Sequence, residues 1–155
     1  MSSEGNMNLD VHGKVGGFYR LQVTHADGSV DDTGWFPNLI TNQGLDWIGG
    51  NAPYDNTPSN TGLLNTHCGV GTGSAAPAYT DTHLTSALAM YPPAAGSNQG
   101  SGPSSYVAGT PPYWTTVWTY SFATGAVIGN IAEVGVGCTI STDTTPQLFS
   151  HALIL

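Results

Sequence analysis

The sequence predicts a mainly β fold: a single antiparallel β-sandwich or jelly-roll-like domain with one or two short helices and long loops. Three observations favour this class. Several segments alternate apolar and polar residues with the period of two that is typical of a half-buried strand. Glycine and proline, at 21 and 10 of 155 residues, divide the chain into short segments joined by loops. Strand patterns outnumber helical ones, which favours a sandwich or barrel-like architecture.

The first predicted element is a β-hairpin. The stretch GFYRLQVT places Tyr19, Leu21 and Val23 on one face of a strand and polar side chains on the other. The pair Asp27-Gly28 suits the positive φ angles of a tight turn. The stretch VDDTGWF is then expected to return as the second strand.

A short helix is predicted within FPNLITNQGLDWIGG. Asn38 and Thr41 are suitable N-terminal caps, and the Gly-Gly pair is a stop signal. Leu45, Trp47 and Ile48 contribute to a rough apolar stripe. The segment is interpreted as a plug for the β domain rather than as a catalytic helix.

The remaining elements are mostly strands. THCGVGTG predicts a glycine-rich strand. TDTHLTSALA predicts a weak short helix with Thr80 or Asp81 as its cap. The clearest strand is YWTTVWTYSF, because its aromatic and β-branched residues suit a pleated surface. Two further strands are predicted in IGNIAEVGVGCTI and in the terminal QLFSHALIL.

The domain organisation follows from length and composition. A chain of 155 residues is most simply one domain. Residues 1–16 are predicted to be a flexible N-terminal arm, because they are polar and lack a period, and residues 17–155 to be the β domain. Residues 91–112 are rich in Gly, Ser and Pro and predict a long loop. Long loops in compact domains are often functional.

The charge balance excludes several partners. Lys14 and Arg20 stand against ten acidic residues, which gives a formal charge of −8. Binding to nucleic acid or to an anionic membrane needs several basic residues on one face, so neither is expected. No apolar run approaches the roughly 20 residues of a membrane-spanning helix.

The N-terminal residues and the cysteines bear on localisation. The start of the sequence has neither the basic nor the apolar region of a secretory signal, so synthesis in the cytoplasm is expected. Cys68 and Cys138 are too few and too far apart to predict a disulfide framework. We expect both to be reduced core residues.

Phosphate and metal binding have weak signals. GVGTGS has neither the dinucleotide fingerprint nor the lysine of a phosphate loop, so a flat glycine strand close to a neighbouring backbone is expected instead. The metal alternatives are a zinc set of His67, Cys68, Cys138 and His151 and a calcium set of Asp31, Asp32, Asp55 and Asp143. Neither set has the spacing of a known site type, so no metal or cofactor is expected.

Catalytic signatures are also weak. Glu133 is the only glutamate beyond the N-terminal arm, and IAEVG places it on a strand. We expect it to be a hydrogen-bonded polar anchor near a sheet edge rather than an acid catalyst. The sequence has no GxSxG nucleophile elbow, so an enzyme is not expected.

Loop aromatic residues are the remaining candidates for function. Tyr54, Tyr91, Tyr106 and Tyr113 lie in or beside Gly- and Pro-rich segments, as does Tyr79. Such side chains contact other subunits, anchor their own loops, or stack on sugars. We interpret the first four as interface candidates.

Five segments follow one another along the chain: GFYRLQVTHADGSV, GWFPNLITNQGLDWIG, CGVGTGSAAPAYTDTHLTSAL, YWTTVWTYSFATGAVIGNIAEVGVG and LFSHALIL. Over nearly all of the chain, their order resembles small structural proteins of tailed-bacteriophage virions. In that group an NLIT-x-x-GLD helix, a GxG-x-x-x-P strand and loop, an EVG strand and an LFSHA-like strand occur in turn. Here they correspond to residues 38–46, 71–77, 133–135 and 148–152.

The resemblance implies a non-enzymatic virion part: a tail, collar or fibre-associated subunit, or a capsid decoration protein. Its partners would be its own copies, for example in a trimer, and other virion proteins. The helix would close one end of the β domain and bury Leu45, Trp47 and Ile48. The excursion at 91–112 departs from the group's pattern. The alternative function is a carbohydrate-binding β module for host adsorption that uses loop tyrosines and Trp35.

Overall fold

A computed structural model describes residues 14–48, 67–91, 104–139 and 147–154. Over these residues the chain forms short strands and one short helix. In chain order the elements are β1 (Phe18–Tyr19), β2 (Gln22–Thr24), β3 (Val30–Asp32), β4 (Phe36–Pro37), β5 (Leu39–Ile40), α1 (Asn42–Ile48), β6 (His67–Gly71), β7 (Ala87–Tyr91), β8 (Ser104–Val107), β9 (Tyr113–Thr116), β10 (Glu133–Thr139) and β11 (Gln147–Leu153).

The largest sheet has five antiparallel strands in the order β5-β11-β10-β6-β7. Three further pairs, β1-β4, β2-β3 and β8-β9, form two-stranded sheets. The mainly β class is therefore confirmed. Within the described part of the chain, the strands form several open antiparallel sheets and do not close into a barrel.

One face of the five-stranded sheet carries the main apolar core. Its buried members are Cys68, Val70, Val134, Val136 and Ala152. Side chains from outside the sheet cover them, among them Tyr19, Phe36, Tyr120 and Phe122. The alternation predicted from IAEVGVG is confirmed, because Val134 and Val136 share this face.

The opposite face is built differently. There, Gly135 of β10 lies beside the buried Leu84 and Leu148, and Gly71 of β6 lies beside Glu133 and Ser86. A Cβ atom on Gly71 would collide with the backbone carbonyl oxygen of Ser86. The glycines therefore let the segment between β6 and β7 lie directly on the sheet, and the predicted close backbone approach at this strand is confirmed.

The predicted helix is present, but its orientation differs from the prediction. Thr41 is the cap, with its Oγ1 accepting a hydrogen bond from the Gly44 amide at 3.2 Å. Asn38 lies ahead of β5 and does not cap the helix. Leu45 and Ile48 are exposed, so their predicted burial is wrong, and the side chain of Trp47 lies outside the described residues. The reason is that Gly44 is the residue packed against the Phe149 backbone, which turns its neighbours outward.

Two further predictions about the fold are partly or wholly confirmed. The first hairpin turns as expected, with Gly28 at a φ of 86°. The predicted first strand is divided into two, because β1 pairs with β4 whereas β2 pairs with β3. The predicted terminal strand corresponds to β11.

Three predictions about the second half of the chain need correction. TDTHLTSALA forms turns and the start of β7 rather than a helix, because pairing with β6 outweighs its weak helical pattern. The strand predicted over residues 113–122 ends at Thr116. The loop predicted at 91–112 contains β8 and the turn to β9. Residues 92–103, and residues 1–13 of the predicted arm, lie outside the described residues.

Candidate functional site

The most strongly polar buried site of the described chain is centred on Glu133. Its carboxylate is 0 % exposed and lies on the sheet face opposite the apolar core. Oε1 accepts hydrogen bonds from the amides of Gly73 at 3.0 Å and Ser86 at 2.7 Å. Oε2 accepts one from the amide of Thr85 at 3.0 Å. One side chain therefore binds both ends of the segment between β6 and β7.

His151 extends this site through both ring nitrogens. Its Nε2 lies 3.1 Å from Oε2 of Glu133, and its Nδ1 lies 2.8 Å from Oδ2 of Asp81. The ring is 1 % exposed. Asp81 is partly exposed and also accepts a hydrogen bond from the Ala78 amide at 2.8 Å. A neutral imidazole donates to one of these carboxylates, whereas an imidazolium donates to both.

We call Asp81, Glu133 and His151 the carboxylate–histidine clamp. It joins three parts of the fold: β10 through Glu133, β11 through His151, and the β6–β7 connection through Asp81. Register places His151 opposite Gly135, and Glu133 opposite Gly71. Small residues beside both polar side chains leave them room to lie flat against the sheet.

The hydrogen-bond pattern of the clamp determines its chemistry. An ionised carboxylate offers about four lone-pair positions. Four groups contact the carboxylate oxygens of Glu133: three backbone amides and one ring nitrogen of His151. Both nitrogens of His151 also face carboxylate oxygens. Both carboxylate oxygens of Glu133 therefore have hydrogen-bond partners within the fold. The arrangement is that of a structural clamp.

The sequence located only one member of this clamp. Glu133 is on a strand, as predicted, but β10 is the central strand of five, so the expected position near a sheet edge is wrong. Sequence reasoning considered His151 only as a metal ligand and Asp81 only as a helix cap. The available signal was a histidine within a mostly apolar strand, since a buried histidine needs a polar partner.

A second buried polar contact ties the outer layer to the sheet. The hydroxyl oxygens of Tyr19 and Ser150 lie 2.5 Å apart, and Tyr19 also donates to the Ser150 carbonyl oxygen at 3.3 Å. Burial raises the pKa of the Tyr19 phenol above its ordinary value. The phenol therefore stays protonated and keeps its hydrogen bond at any physiological pH.

Cys68 is a free, buried thiol on the core face of β6. Burial raises its pKa from about 9 to about 12. The thiolate is the reactive form, so Cys68 is expected to be inert in the folded protein. In a Cys138→Ser background, a thiol reagent at pH 8 should label the chain only after denaturation. Below about pH 9 the thiol is protonated in both the folded and the unfolded chain. Above pH 9 the unfolded chain loses this proton first, so the free energy of unfolding should fall as the pH rises from about 9 to about 12.

Rapid labelling of the native Cys138→Ser protein, at the rate seen for unfolded chain, would contradict this burial. Circular dichroism on the same sample shows whether the chain is folded during labelling. A Cys68→Ala variant of the same background is the blank, since it has no thiol at either position.

The interface candidates differ in position. Tyr54 lies outside the described residues, and so does the side chain of Tyr91, whose backbone pairs with Cys68 in β7. Tyr106 and Tyr113 are on opposite strands of the β8–β9 pair and are 56 % and 55 % exposed. Trp114, which the sequence analysis did not select, is 70 % exposed and lies beside Tyr106.

The charged surface includes a local cluster around the first hairpin. The Arg20 guanidinium binds Asp32, with Nε at 3.0 Å from Oδ1. The hydrogen bonds from Arg20 hold the pKa of Asp32 well below its usual range. One of the two basic residues of the chain is therefore engaged in an internal ion pair.

Two global properties complete the description. Among the described residues, no group of three His, Cys, Asp or Glu side chains is placed to hold a metal ion. The described part of the chain also has no helix long and apolar enough to cross a membrane. Comparison of the chain with protein-family models, curated proteins and solved structures finds no match.

Proposed function

We propose that this chain is a non-enzymatic structural protein of a bacteriophage virion, which binds its own copies and tail, collar or capsid proteins. The observation that carries the proposal is the β8–β9 pair, an uncharged hairpin with exposed Tyr106, Tyr113 and Trp114. Exposed aromatic clusters of this kind are typical of protein–protein contact surfaces.

The polar site supports a structural role. The carboxylate–histidine clamp is buried, and its acceptors are occupied by neighbouring backbone amides and by His151. A clamp of this kind holds the connection between β6 and β7 on the sheet. It thereby gives the domain a fixed surface for repeated docking rather than a group that reacts with a substrate.

The virion assignment rests on the order of the sequence motifs. A β-rich surface with few charged side chains suits docking at many equivalent positions, where multivalency converts weak contacts into stable attachment. We include a sandwich-like domain in the proposal, because Tyr19 and Phe36 pack across the core face of the five-stranded sheet as a second layer does.

Immunogold or difference imaging of intact particles tests this assignment. An antibody against the chain should label particles of the phage that encodes it, and particles assembled without the chain are the control. Label spread over the capsid would make the chain a decoration protein, and label at one vertex or the tail would make it a tail component. Equal signal on both kinds of particle would reject a virion role.

A carbohydrate-binding module is the second candidate. The exposed Trp35 between β3 and β4 favours it, because an exposed indole ring can stack on a sugar. This function predicts saturable binding to a host-surface glycan that is lost in Trp35→Ala. Trp118→Ala is the matched control, since it removes an exposed indole at another place. Glycan binding that both variants retain would reject Trp35 as the sugar-binding residue.

A further inference from the structure

The β8–β9 hairpin is largely self-contained. Its register pairs Tyr106 with Trp114 and Val107 with Tyr113. The Ser105 and Thr115 hydroxyl oxygens lie 2.8 Å apart across the strands, and the Tyr106 and Trp114 ring centres are 5.6 Å apart. Among the described elements, the main packing of each strand is against the other strand of the pair.

Both faces of this hairpin carry exposed aromatic side chains. Alternation places Tyr106 and Trp114 on one face and Tyr113 on the other. All three are more than half exposed, at 56 %, 70 % and 55 %. A hairpin packed on its own domain would bury one face. The β8–β9 pair therefore has the character of an arm with an exposed aromatic side chain on each face.

Such an arm is incomplete as an isolated structure. A two-stranded hairpin is at best marginally stable in water, and three or more strands or a packing partner are needed. Within the described chain, both strands of this sheet have an outer edge without a neighbouring strand. Natural proteins protect such edges with charged side chains, and residues 104–116 contain none.

We infer that this hairpin binds the same hairpin of a second copy of the chain, edge to edge about a two-fold axis. This inference rests on the self-association in the proposed function and specifies its contact. Antiparallel pairing of one edge with itself is self-complementary, as a two-fold interface requires. Aromatic side chains of the paired strands would then lie beside their symmetry mates on the same face of the extended sheet.

Charge favours a second copy over a partner of opposite charge. Each chain has a formal charge of −8, so two copies repel over most of their surface. The uncharged stretch at 104–116 is where they approach with the least repulsion. A basic partner would be expected to meet acidic side chains, and this hairpin offers it none.

The available area determines the strength of the contact. Three aromatic side chains that are more than half exposed offer about 350 Å² per copy. A stable interface buries about 800 Å² per partner. One hairpin contact is therefore weak, and its association should depend strongly on concentration. Repetition on a particle would supply the missing stability.

Sedimentation velocity over a concentration series tests the inference on the full chain. The wild-type protein should form dimers or even multiples of them, and Trp114→Ser should raise the dissociation constant by about tenfold or more. Ile128→Ser removes an exposed apolar side chain outside the hairpin and should leave association unchanged. Circular dichroism checks that each variant is folded.

A photo-crosslinking amino acid at position 106 provides a second measurement on an otherwise wild-type chain. Irradiation should produce covalent dimers whose crosslinked peptides both come from residues 104–116. A wild-type chain that stays monomeric, forms only trimers, or crosslinks only to a different virion protein would overturn the inference. If the hairpin does not mediate dimers but the antibody labels particles, the proposed virion function stands and only the dimer contact is rejected. If the hairpin mediates dimers but particles are not labelled, only the virion function is rejected.

Discussion

Replacing Glu133 with leucine should lower the free energy of unfolding by about 3–5 kcal/mol, the range found when one partner of a buried charged network is removed. The change leaves the amides of Gly73, Thr85 and Ser86 without the carboxylate of Glu133, a fully buried residue, as their acceptor. It also leaves His151 with one carboxylate instead of two. Urea unfolding of both proteins, analysed with one common m-value, measures this loss of unfolding free energy.

The conservative variant Glu133→Gln should be destabilised less. Glutamine keeps one carbonyl oxygen as an acceptor but places an NH2 group where the second carboxylate oxygen accepted hydrogen bonds. Asp46→Asn on the exposed surface of α1 is the matched control and should change stability by less than about 0.5 kcal/mol. A Glu133→Leu protein within about 1 kcal/mol of wild type would contradict the clamp.

A double-mutant cycle separates the clamp from general core disruption. Glu133 and His151 are in direct contact, so the loss in the Glu133→Leu, His151→Leu double variant should be smaller than the two single losses together. The reason is that each single change leaves the other polar group buried without its partner. Additive losses would mean that the two residues act independently.

The clamp also illustrates how far sequence reasoning reaches in this chain. The apolar alternation around Val134 and Val136 predicted β10 correctly, because apolar residues at every second position form the core face of that strand. Asp81 and His151 are 70 positions apart along the chain. Their contact arises from the fold of the β6–β7 connection over the sheet, and no local pattern encodes it.

The helix shows a second limit of local patterns. Leu45 and Ile48 form an apolar stripe in sequence, yet both are exposed, because the face of α1 against β11 is set by Gly44 and Thr41. The backbones of α1 and β11 pack closely, so the contact face of α1 consists of small residues. A pattern that counts only large apolar residues assigns this helix the wrong face.

Gly71→Ala should lower the free energy of unfolding by about 3 kcal/mol, the upper part of the range for overpacking. The new Cβ would collide with the Ser86 carbonyl oxygen and the Glu133 carboxylate. Neither neighbour can move freely, because the Ser86 amide is itself bonded to Glu133 at 2.7 Å. The methyl group would therefore displace the β6–β7 connection from the sheet.

Gly16→Ala is the matched control, because a Cβ at Gly16 meets no atom within 4 Å. A glycine-to-alanine change at such an open position restricts the unfolded chain and stabilises by up to about 1 kcal/mol. The two variants should therefore differ in sign as well as size in the same urea titration. Equal effects would mean that the β6–β7 connection does not press on the sheet at Gly71.

In a Glu133→Leu background the destabilisation by Gly71→Ala should be smaller, since the β6–β7 connection has already lost the carboxylate that holds it on the sheet.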